Sequence, residues 1–337
     1  MRLPDVEEFQ KIYDALQDEK SRKIYKHRLL HSLFHEKEEI NWIVAEGSAA
    51  QIDTTVPQIC FYGAGAGGQF VARNGVKASF FIDTYKTGTL GGYPIISLEE
   101  FLELPDYKEY LVLITLGKGP ARNEITALLD RHGIQYNFIF PDSCQEPQYF
   151  EIRTMCPDMR GEFFVDAGAF DGETTEYFLK HFEDGHAYVF EPNPRQYQIV
   201  QERLRNVFPD SCQVELFPYG VHDENTTLRF DSYEGDETSA RISESGDVEI
   251  EVRRLDDLLG GRKVTFLKMD IEGSELAALR GAERIIREQR PKLAICVYHK
   301  PEDMWEIPSF ILSCHPDYKL YLRHHSMLAD ETVLYAV

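Results

Sequence analysis

The sequence predicts an α/β protein: two successive open-sheet units preceded by a helical N-terminal segment. Three observations predict it. Short apolar runs recur along the chain, each followed by a helical pattern, which is the alternation that gives parallel strands with crossover helices. Two of these runs end in glycine-bearing turns, Gly63-Ala64-Gly65-Ala66-Gly67-Gly68 and Asp166-Ala167-Gly168-Ala169-Phe170-Asp171-Gly172. In both cases the next apolar run ends in an acid: Asp83 lies 20 residues after Gly63, and Glu191 lies 23 after Gly168.

A chain of 337 residues is long enough to fill two hydrophobic cores. Apolar residues make up 43% and charged residues 28%, the ordinary balance of a globular protein. No apolar run reaches the roughly 18–20 residues that span a bilayer. The start, Met1-Arg2-Leu3-Pro4-Asp5-Val6-Glu7-Glu8, lacks the apolar centre of a signal peptide, so a cytoplasmic location is expected. A net charge of −21 leaves no basic footprint for displacing phosphate counterions, which excludes nucleic acid as a partner. Cys60, Cys144, Cys156, Cys212, Cys296 and Cys314 show no paired short spacing and read as reduced structural thiols.

Residues 1–50 form the helical segment. Val6, Phe9, Ile12, Tyr13 and Leu16 fall at helical spacing, and a second set runs from Ile24 to Phe34. His27, His31 and His35 share one helical face, but spacing fixes no carboxylate or thiol beside them, so no metal site is assigned. Residues 51–147 form a Rossmann-like unit. Its strands are Gln58-Ile59-Cys60-Phe61-Tyr62, Ala78 to Asp83, Tyr110 to Thr115 and Tyr136 to Phe140. Gly63, Gly65 and Gly68 with Asp83 match the dinucleotide fingerprint, making NAD or a nucleotide-sugar the candidate ligand of a second site. No hydride-transfer set follows, and a purely structural unit is the alternative. The turn-rich stretch from Pro141 to Pro147 ends the unit.

Residues 148–337 carry the chemistry. Phe163 to Ala167 is the first strand, and the acid in its turn decides the ligand. A carboxylate among free backbone N–H groups repels a pyrophosphate but attracts the ammonium and sulfonium of S-adenosylmethionine. Asp166, Gly168, Ala169 and Gly172 are therefore cofactor candidates. Glu191, at the tip of the strand Ala187 to Phe190, is placed to accept two hydrogen bonds from a ribose diol. Asp223, just past the strand Gln213 to Val221, is the candidate for the adenine amino group. Thr226 to Phe230 and Val248 to Val252 alternate like strands around a polar loop, 232–246, that is a candidate substrate-facing segment. The strand Val264 to Met269 ends in Asp270-Ile271-Glu272-Gly273-Ser274-Glu275. Asp270 and Glu272 are thereby aimed at the crevice of Gly168 and Glu191, where a carboxylate orients or deprotonates a hydroxyl. For Glu272, capping of the following helix is the alternative. The strand Lys292 to Tyr298 ends in His299, a candidate general base. Tyr318 to His325 and Glu331 to Val337 close the sheet, with Arg323, His324 and His325 as candidate substrate contacts.

The ordered segments Val165-Asp166-Ala167-Gly168-Ala169-Phe170-Asp171-Gly172, Phe190-Glu191-Pro192-Asn193, Arg254-Leu255-Asp256-Asp257-Leu258-Leu259, Lys268-Met269-Asp270-Ile271-Glu272-Gly273-Ser274-Glu275 and Tyr321-Leu322-Arg323-His324-His325 resemble the FkbM family of S-adenosylmethionine-dependent methyltransferases. The resemblance covers roughly residues 160–337. It implies a class I methyltransferase fold acting on hydroxyls of sugars, glycans or secondary metabolites. It also implies Asp166, Gly168 and Gly172 at the methionine end, Glu191 on the ribose, and Asp270 with Glu272 as the Asp-x-Glu-Gly signature. The Gly63 unit resembles small Rossmann-like domains attached to enzymes of surface-polysaccharide assembly. The expectation is an O-methyltransferase for a carbohydrate or other small hydroxylated substrate, with no resident metal and with homo-oligomerisation left open. The alternative is a protein that binds NAD or a nucleotide-sugar at the Gly63 loop and carries a non-catalytic methyltransferase-like domain.

Overall fold

The structure, a computed structural model, describes residues 5–34, 58–73, 78–116, 119–138, 148–208, 213–231, 241–242, 246, 248–325 and 331–337. His35, Cys144, Cys212, the strand end 139–140, the junction 141–147 and most of the loop 232–246 lie outside the described residues. The chain divides into two compact units: residues 1–32, 148–325 and 330–337 form one, and residues 33–147 with 326–329 the other.

Two helices begin the chain, Val6–Ala15 and Glu19–Phe34. Asp5 caps the first, its carboxylate accepting from Glu8 N at 2.9 Å. This arrangement satisfies one of the four N–H groups left open at a helix start. Ile12, Leu16, Ile24 and Tyr25 are buried. Ser309 donates to Glu8 at 2.6 Å, and Leu16 bridges to Leu320, so residues 5–32 build onto the C-terminal unit.

The unit containing Gly63 has six strands: β1 (Gln58–Tyr62), β2 (Phe81–Ile82), β3 (Gly88–Leu90), β4 (Tyr93–Ile96), β5 (Tyr110–Ile114) and β6 (Tyr136–Phe138). Their order is β3-β4-β2-β1-β5-β6, parallel except for the β3–β4 hairpin. Sequence reading missed this hairpin, although its turn, Gly91-Gly92, has φ of +60° and +89°, which two-residue hairpin turns require. Phe61, Phe81, Val112 and Ile114 fill the core.

The other unit starts its sheet with β7 (Phe163–Ala167), β8 (His186–Phe190) and β9 (Val214–Phe217). A small side sheet follows, formed by β10 (Gly220–Val221), β11 (Thr226–Asp231), β12 (Arg241–Ile242) and β13 (Val248–Arg253). The main sheet then continues with β14 (Phe266–Met269), β15 (Lys292–Cys296), β16 (Leu320–His324) and β17 (Thr332–Ala336). The expected third strand is split at Pro218, which has no N–H to donate to a ladder, and its second half joins the side sheet. The main order is β16-β17-β15-β14-β7-β8-β9, with only β17 antiparallel to its neighbours.

Chain progression reverses between β7 and β14, whose last residues, Ala167 and Met269, are paired. A crevice opens beyond the carboxyl ends of strands at such a reversal. Beneath it Phe150, Phe164, Phe178, Phe182 and Phe266 pack as one aromatic cluster, with Phe164 4.6 Å from Phe178 and 4.9 Å from Phe266 between ring centroids. Burying each such ring contributes roughly 2–3 kcal/mol, which makes a stiff base for the loops above. Among the described residues no helix is long and apolar enough to cross a membrane.

Candidate active site

A cavity of about 360 Å³ lies at the reversal, within the range of small-molecule sites. Gly168 forms its near wall with φ +83°, and a Cβ there would stand 1.9 Å from the carbonyl oxygen of Asp270. Only glycine fits, because the tips of β7 and β14 touch at this point. The loop is fixed by Gly168 N and Ala169 N, which both donate to Phe190 O at 3.1 Å.

Asp166 does not meet the expectation drawn from it. Its side chain is fully buried and outside the cavity lining, since β7 turns it beneath the loop. One oxygen accepts from Thr175 Oγ1 at 2.6 Å, and the other pairs with Lys268 Nζ at 3.0 Å. Lys268 is itself buried in β14 and donates to Gly168 O at 2.7 Å. Burial works against its charge, but Asp166 and Asp270 outweigh that and hold it above the usual lysine range. Asp166 thus acts on the loop through Lys268. Gly172 closes the turn by donating to Ala169 O at 2.8 Å and precedes the helix Glu173–His181; it does not line the cavity either. Arg203 braces this helix start through Asp171 and Glu176.

Glu191 stands where expected. It is buried against the cavity, and each oxygen accepts one backbone N–H, from Phe170 at 2.9 Å and from Asn193 at 2.8 Å. Burial pushes its carboxyl up to about 7 despite those two donors. Beyond it the cavity becomes an apolar slot formed by Phe190, Pro192, Tyr219, Val221, Ile250 and Val252. Asp223 lies outside this lining: its carboxylate sits 2.7 Å from His222 Nδ1, and Arg254 donates to its carbonyl at 2.8 Å. The turn after β10 carries it away from the slot.

The opposite end of the cavity is acidic. Asp270 accepts from Tyr149 OH at 2.6 Å and from Tyr298 OH at 3.2 Å. Burial raises its pKa, but the charges of Lys268 and His299 and the Tyr149 hydroxyl pull it back below the usual value. Glu272 faces the cavity with a backbone φ of +55°, and burial raises its carboxyl to about 7. Among the described residues, five non-glycines have positive φ, and Phe170, Glu272 and Glu331 of these line the cavity. Strain of that kind concentrates at functional sites.

His299 is not in the lining. It sits behind the two acids, with Nε2 3.5 Å from Asp270 and 3.6 Å from Glu272, and Nδ1 2.9 Å from Glu275. Burial opposes its charge, yet Glu275, Asp270 and Glu272 together raise it to about 9. That raised value favours the charged ring at neutral pH, whereas a neutral base is the expectation at this strand tip. Sequence reading passed over Lys268, Glu275, Tyr149 and Tyr298. The lysine inside the apolar run Phe266-Leu267-Lys268-Met269 was an available signal.

Arg323, His324 and His325 of the closing strands lie outside the cavity lining. Arg323 is buried against Asp18 at 2.7 Å and Glu151 at 2.8 Å, His324 meets Thr332 at 2.8 Å, and His325 meets Tyr335 at 2.9 Å. Burial lowers His325 to about 4, so it stays neutral. In the other unit Gly63 and Gly68 meet in close packing: a Cβ on Gly68 would stand 2.3 Å from Gly63 O, while Gly65 faces open space. Asp83 accepts from Ala64 N, Tyr85 N and Lys86 N at 2.7–2.9 Å, and Lys86 donates to Ala64 O.

The seven-stranded order with one reversed strand, and a glycine-lined crevice at the reversal, define a class I methyltransferase-type domain. Residues 166–325 match the family model described as the methyltransferase FkbM domain. A curated relative, "Methyltransferase 1" of Beauveria bassiana, is 28% identical over 169 residues, which is 43% of this chain and 65% of that protein. Among solved structures, the methyltransferase FkbM from Methylobacillus flagellatus is 23% identical, covering 84% of this chain and 90% of its own, with a TM-score of 0.47. An rRNA methylase from Streptococcus thermophilus is 14% identical, with coverage of 58% and 97% and a TM-score of 0.39.

The match to a methyltransferase domain brings S-adenosylmethionine as the cofactor. The cavity fits it: a glycine wall that admits close approach, a buried acid beside it, an apolar slot, and acids at the far end beside the buried Lys268.

Proposed function

We propose that the protein is an S-adenosylmethionine-dependent O-methyltransferase acting on a hydroxyl of a sugar, glycan or nucleotide-sugar. The observation that carries this reading is the pair Asp270 and Glu272 at the cavity end opposite the purine slot. The two acids differ in state: Asp270 is held ionised, while Glu272 stands near 7. A carboxyl with that value is matched to taking a proton at neutral pH, so Glu272 is the candidate base and Asp270 the group that orients the acceptor. Gly168 and Ala169 would hold the methionine end, Glu191 the ribose, and Val221, Ile250 and Val252 the purine. When bound, S-adenosylmethionine supplies an electrophilic methyl group on a positively charged sulfur. The chain's own contribution is alignment, a low-dielectric wall and a proton acceptor. Carboxylates beside the rings of Tyr149 and Tyr298 also suit a polyol, whose hydroxyls donate and whose C–H faces stack.

The test is to incubate the purified chain with S-adenosylmethionine and a panel of sugar nucleotides, with S-adenosylhomocysteine measured by mass spectrometry. Acceptor-dependent release that disappears in Glu272→Gln is expected. Tight cofactor binding with no release across hydroxylated acceptors would reject the O-methyl reading.

A further inference from the structure

We propose that Glu275 is the positioning residue of this acidic end: its buried carboxylate fixes the ring of His299, and through His299 it holds Asp270 and Glu272 at the cavity floor. The inference rests on the methyl-transfer reading for its purpose, though not for its geometry. Glu275 opens the helix Glu275–Gly281 and has no exposed surface. One of its oxygens lies 2.9 Å from His299 Nδ1 and also accepts from Ile271 N at 2.9 Å, the residue between the two acids. The other oxygen has no hydrogen-bond partner, and neither ring nitrogen of His299 has one, so the ring is held by ion-pair contacts and packing. A carboxylate buried this way is tolerated only beside a cation, and His299 is the cation it touches.

Nδ1 lies at ion-pair distance from Glu275, and Nε2 at ion-pair distance from Asp270 and Glu272, 3.5 and 3.6 Å away. The Tyr298 ring packs against the imidazole at 4.1 Å between centroids. The charged groups around it come from every neighbouring element: Lys268 and Asp270 from β14, Glu272 and Glu275 from the loop and helix after it, and Asp303 from the helix Asp303–Cys314. A carboxylate that fixes one imidazole nitrogen so that the other serves the site is a general device of orientation. A carboxylate that only favours the helix start would need none of this. The same geometry has a rival, because ligand atoms of Asp270, Glu275 and His299 come within 4.8 Å of one another, close enough to share a divalent ion.

Nitrogen-15 histidine spectra of the full chain decide between them, with the His299 signals assigned through His299→Gln. In the wild type both ring nitrogens should be protonated at pH 7, with a titration midpoint near the raised value of about 9. In Glu275→Gln, which keeps an oxygen for Ile271 N, the midpoint should fall by more than one pH unit, while calorimetric affinity for S-adenosylmethionine changes less than about twofold. An unchanged midpoint in folded Glu275→Gln overturns the proposal. So does a neutral ring in the wild type at pH 7, or selective loss of the His299 signals with stoichiometric Mn²⁺. If Glu275→Gln does not fold, the wild-type spectrum alone still decides. Neither spectrum needs cofactor or acceptor, so a failed methyl-transfer assay and a failed positioning role remain distinguishable.

Discussion

The two glycine loops resemble each other in sequence and differ in what their partner acids hold. Asp83 and Glu191 both stand at the tip of the second strand of a parallel unit. Asp83 already accepts three backbone N–H groups, and Lys86 bridges the same loop. Burial raises its pKa, but those donors outweigh it and leave the carboxyl below its usual value. Glu191 accepts two, lines a cavity, and is raised by burial to about 7. One acid completes its own loop; the other is kept in an unfavourable state that a pair of ribose hydroxyls would relieve. A glycine pattern with a trailing acid therefore marks a fold, and the acid's residual demand for donors marks a ligand site.

The largest test of this contrast is at the glycines. Gly168→Val places a side chain where a Cβ already overlaps Asp270 O at 1.9 Å, on a backbone of positive φ. Calorimetry should show affinity for S-adenosylmethionine falling about 100-fold or more, since a misplaced wall removes several contacts at once. Gly65→Ala meets no atom within 4 Å and should leave that affinity unchanged. Retained cofactor binding in Gly168→Val would break the assignment of the loop.

The acids come next, and their pH signatures should have opposite signs. Glu191 is raised on folding, so it favours the folded state below the unfolded value near 4.5, and that contribution is lost as pH rises through about 7. Glu191→Gln should therefore stabilise the ligand-free protein at pH 8 by about 2 kcal/mol and much less at pH 5, while weakening cofactor binding about 10–100-fold. Asp83 is lowered, so its contribution is present above 3.8 and lost as pH falls. Asp83→Asn should cost roughly 1 kcal/mol at pH 7, measured by denaturant melts, and leave S-adenosylmethionine binding alone. Binding of NAD or a UDP-sugar that depended on Asp83 would overturn the contrast. In the wild type, affinity for S-adenosylmethionine should fall about tenfold from pH 8 to pH 6 as Glu191 takes up a proton.

How much of this was legible depended on the range of the interactions. Strands β7, β8, β14 and β15 and the tips carrying Gly168, Glu191 and Asp270 follow from local apolar runs and turn residues, and all were placed. What the acids do there depends on neighbours 100 residues away. The charge of Asp166 looked available to a ligand because Lys268, its partner across the β7–β14 pair, is 102 positions further on. His299 looked like a neutral base because Glu275, 24 positions earlier, read as a helix start. The Gly91-Gly92 hairpin was within local reach and was simply missed.

The smallest effects belong to the purine end, and they separate a polar reading from an apolar one. If Asp223 held the adenine amino group, Asp223→Ala would remove a charge-assisted hydrogen bond and cost about 2 kcal/mol, some 30-fold in affinity. The carboxylate instead sits 2.7 Å from His222 Nδ1 and outside the slot lining, so Asp223→Ala should change affinity for S-adenosylmethionine less than about twofold. Ile250 is buried at the slot wall, on the face where β13 backs the cavity. Ile250→Ala removes apolar area a purine would cover and should weaken binding about fivefold. Because the two positions sit on different elements, β13 and the turn after β10, their effects should add. A larger loss at Asp223 than at Ile250 would mean that adenine is held by its amino group after all, and the apolar slot would need another occupant.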